Sequence, residues 1–244
     1  MEKDLQKHLF LHGMRSLTIP GWDVLEENDI IAFKSPSKAH FIDFVYGKVT
    51  LENYEKAKNF YSSKPFMWLI NDEQEGHQLQ EFGFEGPDVE SEMVLSLSVY
   101  VPPKYPLNIQ IRVASAPEDY NQWLGIAAEW LGANVKDVDD FYTPWIKKSG
   151  STPFLVLLNG EAAATSLLYA NHDHGAIYSL SVRLAFRGLG VATIATHACL
   201  EYAKNKNLSK IVLYASPMGK PIYEKIGFKM VQELYGYSYG EIIT

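Results

Sequence analysis

The chain has a single cysteine, Cys199, in 244 residues, so it can form neither an internal disulfide nor a cysteine cluster for a metal. No apolar run is long enough to span a bilayer, and the opening MEKDLQKHLFLHGM is charged, without a long apolar signal core. A cytoplasmic protein with no membrane partner is the expectation. Positive charge is also scarce. Lys and Arg number 22 against 29 Asp and Glu, and no basic stripe occurs, which argues against nucleic acid as a partner. The imbalance is local: residues 1–105 carry 10 basic and 17 acidic side chains, and residues 106–244 carry 12 of each. Such an acidic half keeps a protein soluble, and it also attracts a cationic acceptor. Two nucleotide signatures are missing as well. Gly219-Lys220 runs into Pro221 rather than the Ser or Thr of a P-loop, and no acidic residue follows the strand at Leu213-Tyr214-Ala215.

The apolar fraction of 47% is that of a globular protein, and the length suits two small domains or one large one. Pro102, Pro103 and Pro106 crowd a stretch that can hold neither a helix nor a central strand, and so mark a linker. The expected division is an N-terminal α/β half, 1–105, and a second domain, 106–244. In the first half, Leu5, Leu9 and Leu17 suggest a helical start. Strands are expected at 30–33, 41–46, 66–70 and 93–101, and helices at 54–61 and through His77 up to Gly83. The second half opens with a strand at 109–113. A helix follows from Pro117, with Glu118 and Asp119 in its first turn, to Gly132. A further helix is expected at 137–148, interrupted near Pro144. Strands 154–158 and 162–169 meet at Asn159-Gly160, a two-residue hairpin signal. A turn at 171–175 leads into the central stretch, followed by a strand at 211–214, a helix at 220–226 and a last strand from Phe228. Residues 66–99 and 211–239 also echo one another. Each reads strand, helix, Gly-Phe, strand, with the phenylalanines (Phe84, Phe228) 18 and 17 residues after the strand start.

The second half is organised around residues 176–203. Ile177, Tyr178, Leu180 and Val182 form a strand, and Ala192, Ala195, Ala198, Cys199 and Tyr202 recur at helical spacing. Between them stands Arg187-Gly188-Leu189-Gly190-Val191-Ala192. Glycines at a strand-to-helix junction let the backbone approach an anion, and the free amides and dipole of the helix start bind phosphate. Arg187 adds a charge suited to phosphate. Cys199 lies inside the helix and reads as a buried structural thiol.

The R-x-x-G-x-A at 187–192 resembles the acyl-CoA pyrophosphate loop of the GNAT acetyltransferase superfamily. Tyr223 with Gly227-Phe228 is similar to that family's second signature. The order of elements over about 107–240 is also that of the GNAT fold. The resemblance implies an α/β GNAT fold, with a mixed central sheet flanked by helices and a degenerate GNAT-like N-terminal half. It implies an acyltransferase that moves an acetyl group from acetyl-CoA, without a metal, to a primary amine in a ternary complex. The amine would belong to a small molecule or to a protein or peptide. In that family the strand before the loop binds pantetheine through its backbone, here Leu180, Ser181 and Val182. Pyrophosphate would lie on the amides of Arg187, Gly188, Leu189, Gly190, Val191 and Ala192, with Thr193 adding a hydroxyl. Tyr223 would protonate the departing thiolate, and Ser216 stands where relatives carry a polar CoA contact. The strand 176–182 lacks the carboxylate that serves some relatives as a base, which leaves open a CoA-binding sensor or scaffold without turnover. His172 and His174 gain no further ligand nearby that would make a metal site. Trp123, Trp130, Phe141, Tyr142 and Trp145 lie on the side that lines the acceptor cleft in the family. Neither the acceptor nor the oligomeric state is written in the sequence.

Overall fold

The computed structural model describes residues 22–27, 29–35, 43–62 and 64–240. The helical start expected at Leu5, Leu9 and Leu17 and the beginning of the 41–46 strand lie outside them. No helix among the described residues is long and apolar enough to cross a membrane. The described chain forms two compact units, one from residues up to Ser91 together with those from Gln232 onward, the other from Glu92 to Val231.

In the first unit the chain runs β1 (Asp23–Glu27), β2 (Ile30–Lys34), β3 (Phe44–Gly47), α1 (Leu51–Tyr61), β4 (Phe66–Ile70) and α2 (Glu73–Glu81). The early part of β5 (Glu85–Ser96) and the later part of β11 (Lys229–Tyr239) complete it, in the strand order β1-β2-β3-β4-β11-β5. β1, β2 and β3 are antiparallel, and β3 and β4 are parallel, joined across α1. β11 lies antiparallel to β4, with Tyr235 opposite Ile70 and Tyr239 opposite Phe66.

Helix α1 starts where the Thr50 hydroxyl accepts from the Asn53 amide at 3.1 Å, and Glu52 pairs with Lys56 one turn on. Tyr54, Ala57 and Tyr61 recur at helical spacing and pack into a core with Val45, Trp68, Leu79 and Phe84. The Tyr61 hydroxyl lies 2.8 Å from both the Phe33 and the Phe44 carbonyl oxygens, joining the helix end to β2 and β3. Beside it the fully buried Asp43 carboxylate forms an ion pair with Lys64 at 2.5 Å and accepts from the Ser35 amide at 2.6 Å. A buried charge held on both oxygens in this way avoids the cost of burying it alone.

The second unit contains the rest of β5, β6 (Ile109–Val113), α3 (Pro117–Leu131), α4 (Val135–Ser149), β7 (Thr152–Leu158), β8 (Glu161–Asn171) and β9 (His174–Val182). A 3₁₀ turn (Leu184–Phe186), α5 (Val191–Asn205), β10 (Lys210–Ala215), α6 (Lys220–Ile226) and the first residues of β11 follow. The strand order is β5-β10-β9-β8-β7-β6. β6 to β9 form an antiparallel meander, and β9 and β10 are parallel across α5. Asn159 and Gly160 both take positive φ, 54° and 86°, as the two-residue hairpin demands. α5 packs Val191 and Ala195 against Val156, Ala163 and Ala164, and the Ser166 hydroxyl donates to the Ala195 carbonyl at 3.0 Å. On the other helix layer, the Trp123 ring nitrogen of α3 donates to the Ser166 carbonyl, and Trp145 of α4 packs on Tyr169 and Tyr178.

Several elements differ from the sequence expectation, among them β1, which it did not include, and α1, which starts three residues early. β5 covers 85–96 rather than 93–101, because the chain turns after Ser96, whose carbonyl accepts from Val99 while that of Leu97 accepts from Tyr100. α4 begins two residues early, where the Asn134 side chain accepts from the Asp137 amide at 2.9 Å. It also continues through Pro144. A proline removes one helix donor, and the buried Phe141, Tyr142 and Trp145 around it hold the helix by packing. The proline-dense stretch 102–106 lies in the second unit, beside two anchors on α5. Lys204 donates to the Tyr100 carbonyl at 2.6 Å, and Tyr105 donates to Glu201.

The internal echo is longer than its sequence signal. β3-α1-β4-α2-Gly83-Phe84-β5 in the first unit repeats β9-α5-β10-α6-Gly227-Phe228-β11 around the second. Both chains of elements have a parallel strand pair joined by a helix, and both phenylalanines are buried. The first unit is thus an α/β unit that shares this order of elements with the second.

Replacing Tyr61 with phenylalanine tests the first unit's core. The hydroxyl has one hydrogen to share between the two carbonyls, and losing that bond inside the core should cost about 1–3 kcal/mol. The urea midpoint should fall with an unchanged slope. A variant with the wild-type midpoint would show that the hydroxyl contributes nothing.

Candidate acyl-CoA site

In the second unit, β9 and β10 pair over only three residue pairs, from His174↔Lys210 to Ala176↔Val212. β9 then runs on to Val182 and β10 to Ala215 with no further pairing between them. The cause lies on the other edge of β9. Thr165 is opposite Ser181 and Leu167 opposite Tyr178, so β9 carries one extra residue there. Ser179 takes φ 49°, and its carbonyl accepts from the Thr165 hydroxyl at 3.1 Å. Such a bulge bends and twists its strand, and β9 turns away from β10 beyond it. Leu180 and Val182 send their side chains toward α5, so what they and Ser181 present along the strand edge is backbone. The Ser181 side chain is buried, and its hydroxyl has no hydrogen-bond partner among the described residues.

The loop after β9 carries the expected anion residues. Gly188 and Gly190 take φ 77° and 78°, which only glycine adopts without strain, and a methyl group at either would meet nothing within 4 Å. Gly190 caps α5 without any side-chain bond, and no acidic residue stands in the first turn. Among the described residues, the amides of Gly188, Leu189, Gly190, Val191, Ala192 and Thr193 have no acceptor, and Ile194 is the first to close a helical bond, onto the Gly190 carbonyl. Six free donors at the positive end of a 15-residue helix favour an anion. Arg187 is exposed beside them, its Nε 3.5 Å from the Val182 carbonyl. Arg183 pins the loop's root, its Nε 3.3 Å from Glu129 of α3.

Thr193 and His197, one turn apart on α5, line an open groove of about 470 Å³ with Leu95, Tyr100, Lys225 and Gly227. The His197 ring nitrogen Nδ1 shares a 2.9 Å hydrogen bond with the Tyr100 hydroxyl, and burial lowers its pKa. Tyr223 of α6 is 8% exposed, in the cluster with Met93, Leu95 and Phe228. Ser216 is tied into the turn before α6, where its hydroxyl accepts from the Gly219 amide at 3.2 Å. Of the aromatic residues on α3 and α4, Trp123, Phe141, Tyr142 and Trp145 are buried, and Trp130 is 57% exposed. In the turn at 171–175, Asp173 accepts from Ser209 and lies 2.7 Å from His174, and the Ser209 bond lowers its pKa. Among the described residues no three His, Cys, Asp or Glu side chains group to hold a metal.

The equivalent place in the first unit is closed. β3 and β4 likewise pair over three residues, from Phe44↔Met67 to Tyr46↔Leu69, but β3 then ends at Gly47, whose carbonyl accepts from the Trp68 ring nitrogen at 3.0 Å. At the start of α1 the Val49 amide donates to the Glu75 carboxylate at 3.0 Å, and Thr50 takes the Asn53 amide. A carboxylate of the chain thus takes the place an anion would take. Neither the Ser179 bulge nor the Glu75 plug has a signal in sequence. Glu75 is simply one acid among several in a charged helix.

A parallel strand pair opened by a bulge, with a glycine-capped helix start at its mouth, defines the GNAT fold. Comparison with known families agrees with this, since residues 118–228 match the model of the Acetyltransferase (GNAT) family. No curated protein sequence matches the chain. Among solved structures, a GCN5-related N-acetyltransferase from Kribbella flavida is similar over 97% of this chain and 95% of its own, at 13% identity and a TM-score of 0.71. One from Sphaerobacter thermophilus covers 88% and 82% at 14% identity, with a TM-score of 0.65. A tandem GNAT protein from the clavulanic acid biosynthesis pathway covers 95% and 87% at 11% identity, with a TM-score of 0.63.

Cys199 offers a check on the packing of α5. Burial pushes its thiol up to about 12, and its sulfur lies 3.3 Å from the Ser166 hydroxyl. Because the thiolate is the nucleophile, iodoacetamide should leave the native protein unlabelled at neutral pH and label it in urea, as read by mass spectrometry. Rapid labelling of the native chain would contradict this burial.

Proposed function

We propose that this protein is an N-acetyltransferase that binds one acetyl-CoA per chain and transfers the acetyl group to a primary amine by direct attack. The row of acceptor-free amides from Gly188 to Thr193, at the mouth of the diverging strands, carries the reading. Those amides and Arg187 would counter the pyrophosphate charge, and the backbone of Leu180, Ser181 and Val182 would bond the pantetheine amides. The thioester supplies an acyl group open to attack by a neutral amine. As the new C–N bond forms and the C–S bond breaks, the leaving sulfur takes a proton from the Tyr223 phenol. The proton shed by the amine passes to water, from which the phenol is restored. A neutral phenol suits this step because it keeps its proton at neutral pH until sulfur bears charge. The closed β3–β4 pair and the Glu75 plug support a single cofactor per chain. The excess of acid in residues 1–105 favours a cationic acceptor.

Thiol release measured against a panel of amines, polyamines, amino acids and peptides identifies the acceptor. In titration calorimetry acetyl-CoA should bind with a stoichiometry of one per chain, and Gly190→Glu should abolish the heat by placing bulk and negative charge on the anion site. Wild-type protein that gives no heat, or that binds two equivalents, overturns the reading.

Tyr223→Phe removes only the hydroxyl. It should leave acetyl-CoA affinity nearly unchanged and lower kcat by about 10²–10⁴-fold, the usual contribution of general acid catalysis. A phenylalanine variant at the wild-type rate would show that the tyrosine only packs.

A further inference from the structure

Gly219 opens the turn into α6, yet its backbone does not call for glycine. Its φ of −79° and ψ of −33° are ordinary right-handed helical values. What excludes a side chain there is the ring of Tyr223. A Cβ at 219 would lie 3.0 Å from Tyr223 Cε2 and 3.4 Å from the Ser216 hydroxyl oxygen. Carbon atoms in contact sit about 3.5–4.0 Å apart, so the ring would have to yield. Cε2 is bonded to the carbon that carries the phenol oxygen, and any push on that edge moves the hydroxyl with it. The ring has little room to lean, being 8% exposed and packed edge-on against Phe228 at 5.8 Å. The turn itself is firmly held. The Ser216 carbonyl accepts from Gly219 at 3.0 Å and from Lys220 at 2.9 Å, and its hydroxyl takes the Gly219 amide as well. The Gly219 carbonyl then accepts from the Tyr223 amide at 3.3 Å, so residue 219 is bonded to the Tyr223 backbone and its Cβ direction faces the ring.

We propose that Gly219 is a positioning residue for the acyl transfer, its bare Cα setting where the Tyr223 hydroxyl stands while Ser216 fixes the glycine. The inference rests on Tyr223 as the proton donor. It also gives Ser216 a task in placing the tyrosine, distinct from contact with the cofactor.

The test uses the full chain with Gly219→Ala and Tyr223→Phe, singly and combined, with kcat and KM from thiol release and acetyl-CoA affinity from calorimetry. A misplacement of about 1 Å can cost about 10²-fold in rate. Gly219→Ala, a smaller shift, should lower kcat by about tenfold or more and leave acetyl-CoA affinity within about twofold. In the Tyr223→Phe background the same alanine should cost nothing further, because the hydroxyl it displaces is gone. An unchanged kcat in Gly219→Ala overturns the proposal, as does an equal loss in both backgrounds. Slow Tyr223→Phe beside fast Gly219→Ala would refute only the positioning role, whereas fast Tyr223→Phe refutes the proton donor itself. Thermal melts guard against a misfolded alanine variant. If Gly219→Ala fails to fold, Gly219→Ala with Tyr223→Ala should fold, because the ring is absent, and failure of both overturns the proposal.

Discussion

A parallel strand pair that separates after three residue pairs leaves two backbone edges facing across a gap in the middle of a sheet. Sheet interiors do not tolerate this without cause, since peptide groups out of reach of water and of each other are costly. Here the cause is one extra residue at Ser179, held by the Thr165 hydroxyl on its carbonyl. The antiparallel meander and the helix layers on either side keep β9 fixed along its other edge, so only the β10 side opens. The gap, the glycine turn and the helix start then follow in sequence along one stretch of chain. Under the proposed function, a long ligand carrying amides and then phosphates would meet the groups it needs in that order.

The two units show how little separates an open site from a closed one. Both have a parallel pair joined by a helix, then a second helix and a Gly-Phe. In the first unit β3 is too short to bulge, Trp68 ties its end, and Thr50 and Glu75 take the amides at the helix start. In the second unit Gly190 stands where Thr50 stands and brings no side chain. A cap that stabilises a helix and a helix start that binds an anion are alternative uses of the same amides.

The sequence displayed local features well. The Asn159-Gly160 hairpin, the Pro117 helix start, the glycine loop and the Gly-Phe pairs each follow from one or two residues with special backbone behaviour. What it hid depends on distant partners. The bulge at Ser179 arises from register against β8, and serine has no preference that announces it. The continuation of α4 through Pro144 comes from aromatic packing that overrides a local penalty. The tethering of Tyr100 and Tyr105 to α5 gives a proline-rich stretch a fixed place that composition alone describes as a linker. The reason for glycine at 219 is likewise invisible without the ring that fills its space.

The last strand has a consequence for how the protein is made. β11 lies beside β4, and the Asn71 side chain donates to the Glu233 carbonyl, 162 residues further along the chain. During synthesis β4 leaves the ribosome long before its neighbour exists. The first unit therefore waits, with the edge of β4 bare, until almost the whole described chain has been translated. Contacts this distant in sequence slow folding, and a bare strand edge invites pairing with the wrong chain. Most of the first unit is synthesised ahead of the second, yet it cannot be completed until the second has been translated.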